Sequence, residues 1–113
     1  MVATAPSQRG SLLVNVAKDF SRYPAGRFLS DGEFSGEKFR HDFLEPAMRN
    51  NNHLHICLDG ARGYGSSFLE EAFGGLVRLG YEPNDVLASI ELESSDKSLI
   101  LEIKDYIVHG RDE

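Results

Sequence analysis

The chain has 113 residues, of which 41% are apolar and 27% charged, and a net charge of −6 at pH 7. This balance is that of an ordinary globular domain. The acidic charge argues against a large nucleic-acid interface, which needs clustered lysine and arginine, and against binding to anionic membranes. The one cysteine, Cys57, has no partner for an internal disulfide, which suits a reducing compartment.

The first ten residues, MVATAPSQRG, lack the apolar segment of a signal peptide. No apolar run approaches the roughly 20 residues of a membrane-spanning helix. The sequence therefore predicts a cytoplasmic protein. We expect a flexible N-terminus over residues 1–10 and one domain over 11–110.

The first half of the chain predicts one strand with a second in doubt, and then a helix. Ser11 to Ala17 is β-branched and apolar, which favours a strand. A short strand over Arg27 to Ser30 would pair with it through the Pro-Ala-Gly turn at 24–26. A helix is expected from Ser35, whose hydroxyl can cap it, and Pro46 predicts a kink or a break in that helix.

The second half alternates strands and helices. Strands are predicted over His53 to Asp59 and over Leu87 to Ser94, and the apolar stripe that starts at Phe68 predicts a helix ended by Gly80. The last segment predicts a second helix with an apolar inner face, although its alternating pattern leaves a hairpin open. The inward side chains would be Leu99, Ile100, Ile103 and Ile107.

Alternation of strands and helices predicts the α/β fold class. We expect a small domain with a mainly parallel central sheet of about four strands and about three helices.

The junction LDGARGYGSSFLEE is the most informative stretch of the sequence. Ser67 and Glu70 fit the capping box, in which a serine and a glutamate satisfy each other's backbone amides. That interpretation gives Ser67 a structural role and leaves Ser66 exposed at the positive end of the helix dipole. Such a position suits an added phosphate.

Other chemistry at this junction has weaker support. The glycine-rich loop over 60–67 could cradle a phosphate or nucleotide, but it lacks the Gly-Lys-Ser/Thr ending of a P-loop. The serines are not flanked as in a hydrolase nucleophile motif. Glu70 and Glu71 are adjacent and diverge by about 100° on a helix, so they do not form a catalytic pair. No catalytic residue is assigned.

The polar side of the same helix offers two interpretations. Gly74 and Gly75 are costly inside a helix, at roughly 1 kcal/mol each. They indicate either close packing against a neighbouring element or a flat patch that a partner approaches. Ser67, Glu71 and Arg78 stack with them along this side.

Two further groups of polar residues carry weaker signals. His53, His55, Cys57 and Asp59 alternate along one predicted strand, but their spacing of roughly 6.5–7 Å prevents all four from sharing a zinc ion. We therefore expect no metal. Arg22, Arg27 and Arg40 form either a small anion patch or, as we favour, ordinary solvated loop charges.

The strand, loop, paired serines and apolar helix resemble the STAS domain of anti-sigma factor antagonists. More closely, SGEKFRHDFLEP together with LDGARGYGSSFLEEAFGGLVRLG is similar to the STAS-like domain family DUF4325, over about Leu13 to Ile107. In antagonists the first serine at the helix start is phosphorylated by a kinase that is also the anti-sigma factor. The resemblance places Ser66 at that position and Ser67 at the second serine, with Gly65 in place of the usual aspartate.

The resemblance implies a non-catalytic, cytoplasmic, bacterial regulatory module without a cofactor, monomeric or weakly dimeric. Its implied partner is a histidine-kinase-type ATPase or an anti-sigma-like protein. An enzyme that handles phosphate at the loop and a purely scaffolding subunit are the alternatives. The expected partner contacts, drawn from the loop and the outer side of the helix, are Asp59, Gly60, Arg62, Gly63, Tyr64, Gly65, Ser66, Ser67, Glu71, Gly74, Gly75 and Arg78.

Overall fold

A computed structural model describes residues 10–112, so most of the expected flexible segment over 1–10 lies outside the described residues. Three strands are present in this part of the chain: β1 Ser11–Asn15, β2 His53–Cys57 and β3 Ile90–Glu93. Five helices accompany them. These are α1 (Val16–Phe20), α2 (36–49), α3 (66–78), α4 (Pro83–Ser89) and α5 (Lys97–Val108).

The sheet is parallel throughout, in the order β1-β2-β3. Leu54 lies opposite Leu12 on one side and Ile90 on the other. Burial alternates along the strands, with Leu54 and Ile56 buried, whereas Leu13 is 72% exposed. One face of the sheet is therefore packed against the core and the other is open to solvent. The α/β class is as predicted, but the described residues hold three strands rather than about four, and five helices rather than about three.

The strand predicted over Arg27 to Ser30 is wrong. The segment bends into a 3-10 turn, Leu29–Asp31. The Asp31 carboxylate accepts hydrogen bonds from the backbone amides of Arg27 and Phe28, at 3.1 and 2.8 Å. These local bonds occupy amides that a strand would offer to its neighbour.

The strand predicted over Leu87 to Ser94 is wrong in its first half. Residues up to Ser89 belong to α4, which starts with Pro83 at its first position and buries Val86. Proline at that position is preorganised for a helix, and this outweighs the alternating pattern of the sequence. β3 therefore begins only at Ile90.

The first strand is also shorter than predicted. It ends at Asn15, and Val16 and Ala17 belong to α1, a single π-helical turn. The Asn15 side chain accepts a hydrogen bond from the Lys18 amide at 3.1 Å, which caps this turn. The strand to helix change is thus set by one asparagine.

Of the kink or break predicted at Pro46, the break is absent: helix α2 continues through Pro46, but it is irregular just before the proline. Its α-helical ends, Gly36–Phe39 and Glu45–Arg49, flank a π-helical turn, Arg40–Leu44. The Glu45 amide bonds to the carbonyl of Arg40, five residues back. This wider turn lies directly before the proline, which has no amide to donate.

The capping role predicted for Ser35 is confirmed. Its hydroxyl oxygen accepts a hydrogen bond from the Lys38 amide at 3.2 Å. Phe34 and Phe39, on either side of the cap, both pack edge-on against Phe20, with ring centroids 5.5 and 5.2 Å away. The start of α2 is thereby fixed to the aromatic part of the core.

Helix α3 is the centre of the core. Like α2 it contains a π-helical turn, Glu70–Gly74, between the α-helical segments Ser66–Leu69 and Gly75–Arg78. Its stripe is buried as predicted except for Leu79, which follows the last helical residue and is 56% exposed. The buried members of the stripe are Phe68, Leu69, Ala72, Phe73 and Leu76.

Helix α5 settles the choice between a helix and a hairpin for the last segment. Ile103 and Ile107 are buried, and Leu99 packs against the core. Among residues 10–112, no helix combines the length and the apolar character needed to cross a bilayer.

Candidate functional site: the junction before helix α3

The loop that leads to Ser66 is anchored at its first residue. The Asp59 carboxylate accepts hydrogen bonds from the Ser95 amide at 3.0 Å and from the Ser95 hydroxyl at 3.1 Å. The backbone bond from Ser95 is the main reason why the pKa of Asp59 is lowered. Asp59, expected as a partner contact, therefore joins the end of β2 to the residues that follow β3.

Tyr64 and Gly60 fix the middle of the loop. The Tyr64 hydroxyl donates to the Leu58 carbonyl at 2.7 Å, and its ring lies 6.1 Å from that of Phe68. Burial raises the pKa of Tyr64. Gly60 has a φ of 101°, which favours glycine, and a Cβ there would lie 3.1 Å from the Ala17 side chain.

The capping box predicted for Ser67 and Glu70 is wrong. The helix begins at Ser66, its N-cap is Gly65, and no side chain caps it. The Glu70 carboxylate turns away from the helix start and binds Arg27 and Arg78, both at 2.6 Å. Ser66 and Ser67 are both exposed, and the glutamate that the box requires is bound by the two arginines.

The polar side of α3 is a network of ion pairs. Arg40 is 8% exposed and Glu71 9%, and their closest side-chain atoms are 2.7 Å apart. Arg40 also pairs with Glu45 at 2.9 Å. The hydrogen bond from Arg78 lowers the pKa of Glu70, and the hydrogen bond from Arg27 lowers it further. Partial burial of the carboxylate acts in the opposite direction. Charges as deeply buried as those of Arg40 and Glu71 need a partner of opposite sign.

This network revises the interpretation of the predicted arginine patch. Arg27 and Arg40 are neither a free anion patch nor solvated loop charges, because each is bound to glutamates. Arg40 and Glu71 lie 31 residues apart in the chain. No local spacing signals a contact at that separation, so the sequence could not reveal it.

The double glycine serves close packing. A Cβ on Gly74 would lie 2.7 Å from the Glu70 carboxylate and 3.2 Å from the carbonyl of Tyr106 in α5. A Cβ on Gly75 would collide with the guanidinium of Arg40. Both glycines are buried. The sequence predicted that Gly74, Gly75 and Glu71 contact a partner, but all three residues are buried.

A cleft of about 430 Å³ lies beside the loop, between the segments that follow β2 and β3. The charged residues that line it in the described part of the chain are Asp59, Asp96 and Glu102, all carboxylates. An anion in this cleft would meet charges of its own sign. The cleft is therefore poorly suited to a phosphate or a nucleotide.

The two histidine side chains of β2 lie on the open face of the sheet. His53, His55 and Cys57 alternate there, whereas Asp59 lies beyond the end of β2. His55 Nε2 is 2.7 Å from a Glu93 carboxylate oxygen, and this hydrogen bond raises the pKa of His55. Between residues 10 and 112, no three His, Cys, Asp or Glu side chains are grouped to hold a metal ion.

Two exposed aromatic side chains, which the sequence did not single out, lie on the segment that contacts the loop before the serines. The amide of Arg62 donates to the carbonyl of Arg22 at 2.8 Å, and the Arg62 guanidinium carbon lies 6.0 Å from the centre of the Tyr23 ring. Tyr23 is 62% and Phe28 48% exposed. We name Arg22, Tyr23, Phe28, Arg62 and Ser66 the junction surface. The signal available in the sequence was that two bulky aromatic residues stand in SRYPAGRFLS, a segment that also contains serine, proline and glycine.

The comparisons with known proteins identify a family for this chain. Residues 35–99 match the model of the family described as STAS-like domain of unknown function (DUF4325). The match runs from the cap of α2 to the start of α5 and includes the loop and both serines. Searches of curated proteins and of solved structures found no match.

Proposed function

Because the chain belongs to the family of STAS-like domains of unknown function, we propose that it is a non-catalytic regulatory module that binds another protein at the junction before α3. The partner would be a histidine-kinase-type ATPase or an anti-sigma-like protein, and a phosphate on Ser66 would release it. One observation carries this proposal. Ser66 and Ser67 are exposed at the start of a long helix, and no side chain caps that helix.

The physical basis is the electrostatics of the helix start. The first amides of a helix have no intrahelical acceptor, and the dipole places partial positive charge there. A phosphate on Ser66 is tolerated by the helix for this reason, and it changes the charge that a docked protein meets. Ser67 is equally exposed, so either hydroxyl is accessible to a kinase.

The charges of the cleft favour binding of a protein over the handling of phosphate. The described lining of the cleft carries three carboxylates and no arginine or lysine. The one buried arginine among residues 10–112, Arg40, is already paired with Glu45 and Glu71. A scaffolding subunit would need no exposed serines at a helix start. We therefore retain the regulatory module as the proposed function.

The test is a binding experiment with a purified candidate partner, a histidine-kinase-type ATPase from the same organism. We expect Ser66→Asp to weaken binding at least about ten-fold, a difference of roughly 1.4 kcal/mol. Ser66→Ala should bind like the wild type. Asn84→Asp adds the same charge at an exposed position of α4 and is the matched control.

Mass spectrometry after incubation with the ATPase and ATP would identify the modified residue. Phosphate on Ser66 supports the proposal, and phosphate on Ser67 moves the switch by one residue. If Ser66→Asp and Ser67→Asp both bind as tightly as the wild type, the switch is wrong. Equal weakening by Asn84→Asp would reduce the effect to a general charge response.

A further inference from the structure

We infer that the junction surface is the docking contact itself, and that it binds an acidic segment of the partner that carries an exposed aromatic or aliphatic side chain. This inference deepens the proposed function and rests on it. It names the chemistry of the partner, which the proposed function leaves open.

The loop over 22–28 is attached to the segment that carries the serines. The Arg62 amide bonds to the Arg22 carbonyl, and the Arg27 guanidinium binds Glu70 at 2.6 Å. Residues 62 and 70 precede and follow Ser66 in the chain, so the loop is attached on both sides of it. A protein that docks over Ser66 therefore meets this loop as well.

The charge of this surface is free for a partner. Among the arginines of residues 10–112, Arg22 and Arg62 make no ion pair with a carboxylate of that part of the chain. The others are paired with Asp or Glu: Arg27, Arg40, Arg49, Arg78 and Arg111. In a protein of net charge −6, two adjacent arginines without a carboxylate form a local site for an acidic segment.

The aromatic rings supply the apolar part of the contact. Tyr23 is 62% and Phe28 48% exposed, so both have ring surface to bury. Tyrosine and arginine are the residue types that contribute most often to binding energy in interfaces. Leu101 is similarly exposed, at 67%, but it lies in a helix whose two lysines are balanced by Glu102 and Asp105, so that helix has no net positive charge to offer an acidic partner.

The sign of the charge also explains a release by phosphorylation. A phosphate on Ser66 adds negative charge to the junction surface and repels an acidic segment. A basic partner would be held more tightly by the same modification. The partner-switching scheme and the free arginines therefore require the same class of partner.

The test uses two synthetic peptides and isotope-labelled protein. One peptide has glutamates around two phenylalanines, and the other has lysine in place of glutamate. We expect the acidic peptide to shift the NMR signals of Arg22, Tyr23, Phe28 and Arg62. The basic peptide should leave these signals unchanged. If the acidic peptide shifts other residues only, the inference is overturned.

Variants then separate this inference from the proposed function. The double variant Arg22→Glu/Arg62→Glu should weaken acidic-peptide and ATPase binding at least ten-fold, whereas Lys97→Glu/Lys104→Glu, with the same charge change on α5, should not. Tyr23→Ala should weaken binding without any change of charge. Thermal unfolding checks that each variant folds.

The outcomes are distinguishable. If the Arg22→Glu/Arg62→Glu variant loses binding and Ser66→Asp does not, the docking surface stands and the phosphoserine switch fails. If Ser66→Asp loses ATPase binding while the arginine variant binds normally, the proposed function stands and this inference is wrong. Equal loss in the Lys97→Glu/Lys104→Glu control also overturns it.

Discussion

Helices α3 and α5 each follow a strand of the sheet, but their first turns are built differently. The α5 start is capped by Asp96, whose carboxylate accepts from the amides of Ser98 and Leu99 at 3.0 and 3.3 Å. The α3 start has Gly65 at the N-cap and no side-chain cap. The two serines that could have capped it point to solvent instead.

The difference shows which part of each helix provides stability. Helix α3 is held by its middle, where Phe68 and Leu69 are buried and Glu71 pairs with Arg40. Helix α5 has an exposed first turn, so its cap is needed there. Because the packing of α3 does not depend on its serines, they are free to take part in binding.

The ion pair under α3 should give the largest effect. Glu71→Ala leaves the buried Arg40 guanidinium without its main partner, and we expect a loss of about 3 kcal/mol in the free energy of unfolding. Urea denaturation measures it. Arg49→Ala, which removes an exposed pair at 3.9 Å, should cost less than about 0.5 kcal/mol. Equal losses in the two variants would contradict the comparison.

Close packing of α3 predicts the next effect. Gly75→Ala places a methyl group against the Arg40 guanidinium and should cost about 1–3 kcal/mol, despite the higher helix propensity of alanine. Gly65→Ala is the control, since a Cβ there has nothing within 4 Å. It should cost less than about 1 kcal/mol. If Gly75→Ala were more stable than the wild type, α2 and α3 would be able to move apart and accommodate the methyl group without cost.

The two helix starts can be compared directly. Asp96→Ala removes the cap of α5 and should cost about 1 kcal/mol. Ser67→Ala removes no capping bond and should cost less than about 0.5 kcal/mol. Chemical denaturation of both variants in one buffer gives the ranking. If Ser67→Ala costs as much as Asp96→Ala, Ser67 caps the helix in solution.

The smallest of these changes in stability is expected from acid, which should weaken the ion-pair network on α3. The pKa of Glu70 is lowered in the folded state, chiefly by the hydrogen bond from Arg78. Its contribution is therefore present above the unfolded pKa of about 4.3 and lost as the pH falls through the folded pKa. Glu70→Gln should be less stable than the wild type at pH 7, by less than about 1 kcal/mol. The gap should close toward pH 2 in denaturation curves, and a constant gap would count against the ion pairs.

The sequence by itself determined the elements whose signal is local. The apolar run of β2, the stripe of α3 and the serine cap of α2 depend on neighbours within a few residues, and the structure confirms them. The segment SGEKFRHDFLEP and the motif around Ser66 were together also sufficient to identify the family.

Tertiary structure decided which local option each polar residue takes. Glu70 can cap a helix or pair with arginines, and Arg27, 43 residues away in the chain, draws it from the cap. Gly75 leaves room for Arg40, which comes from α2. A buried charge without its partner costs several kcal/mol, so the fold has to supply Arg40 with Glu71 and Glu45. Glu70 is only partly buried, but two arginines bind it where the capping box offers one backbone amide, and Ser66 and Ser67 stay exposed.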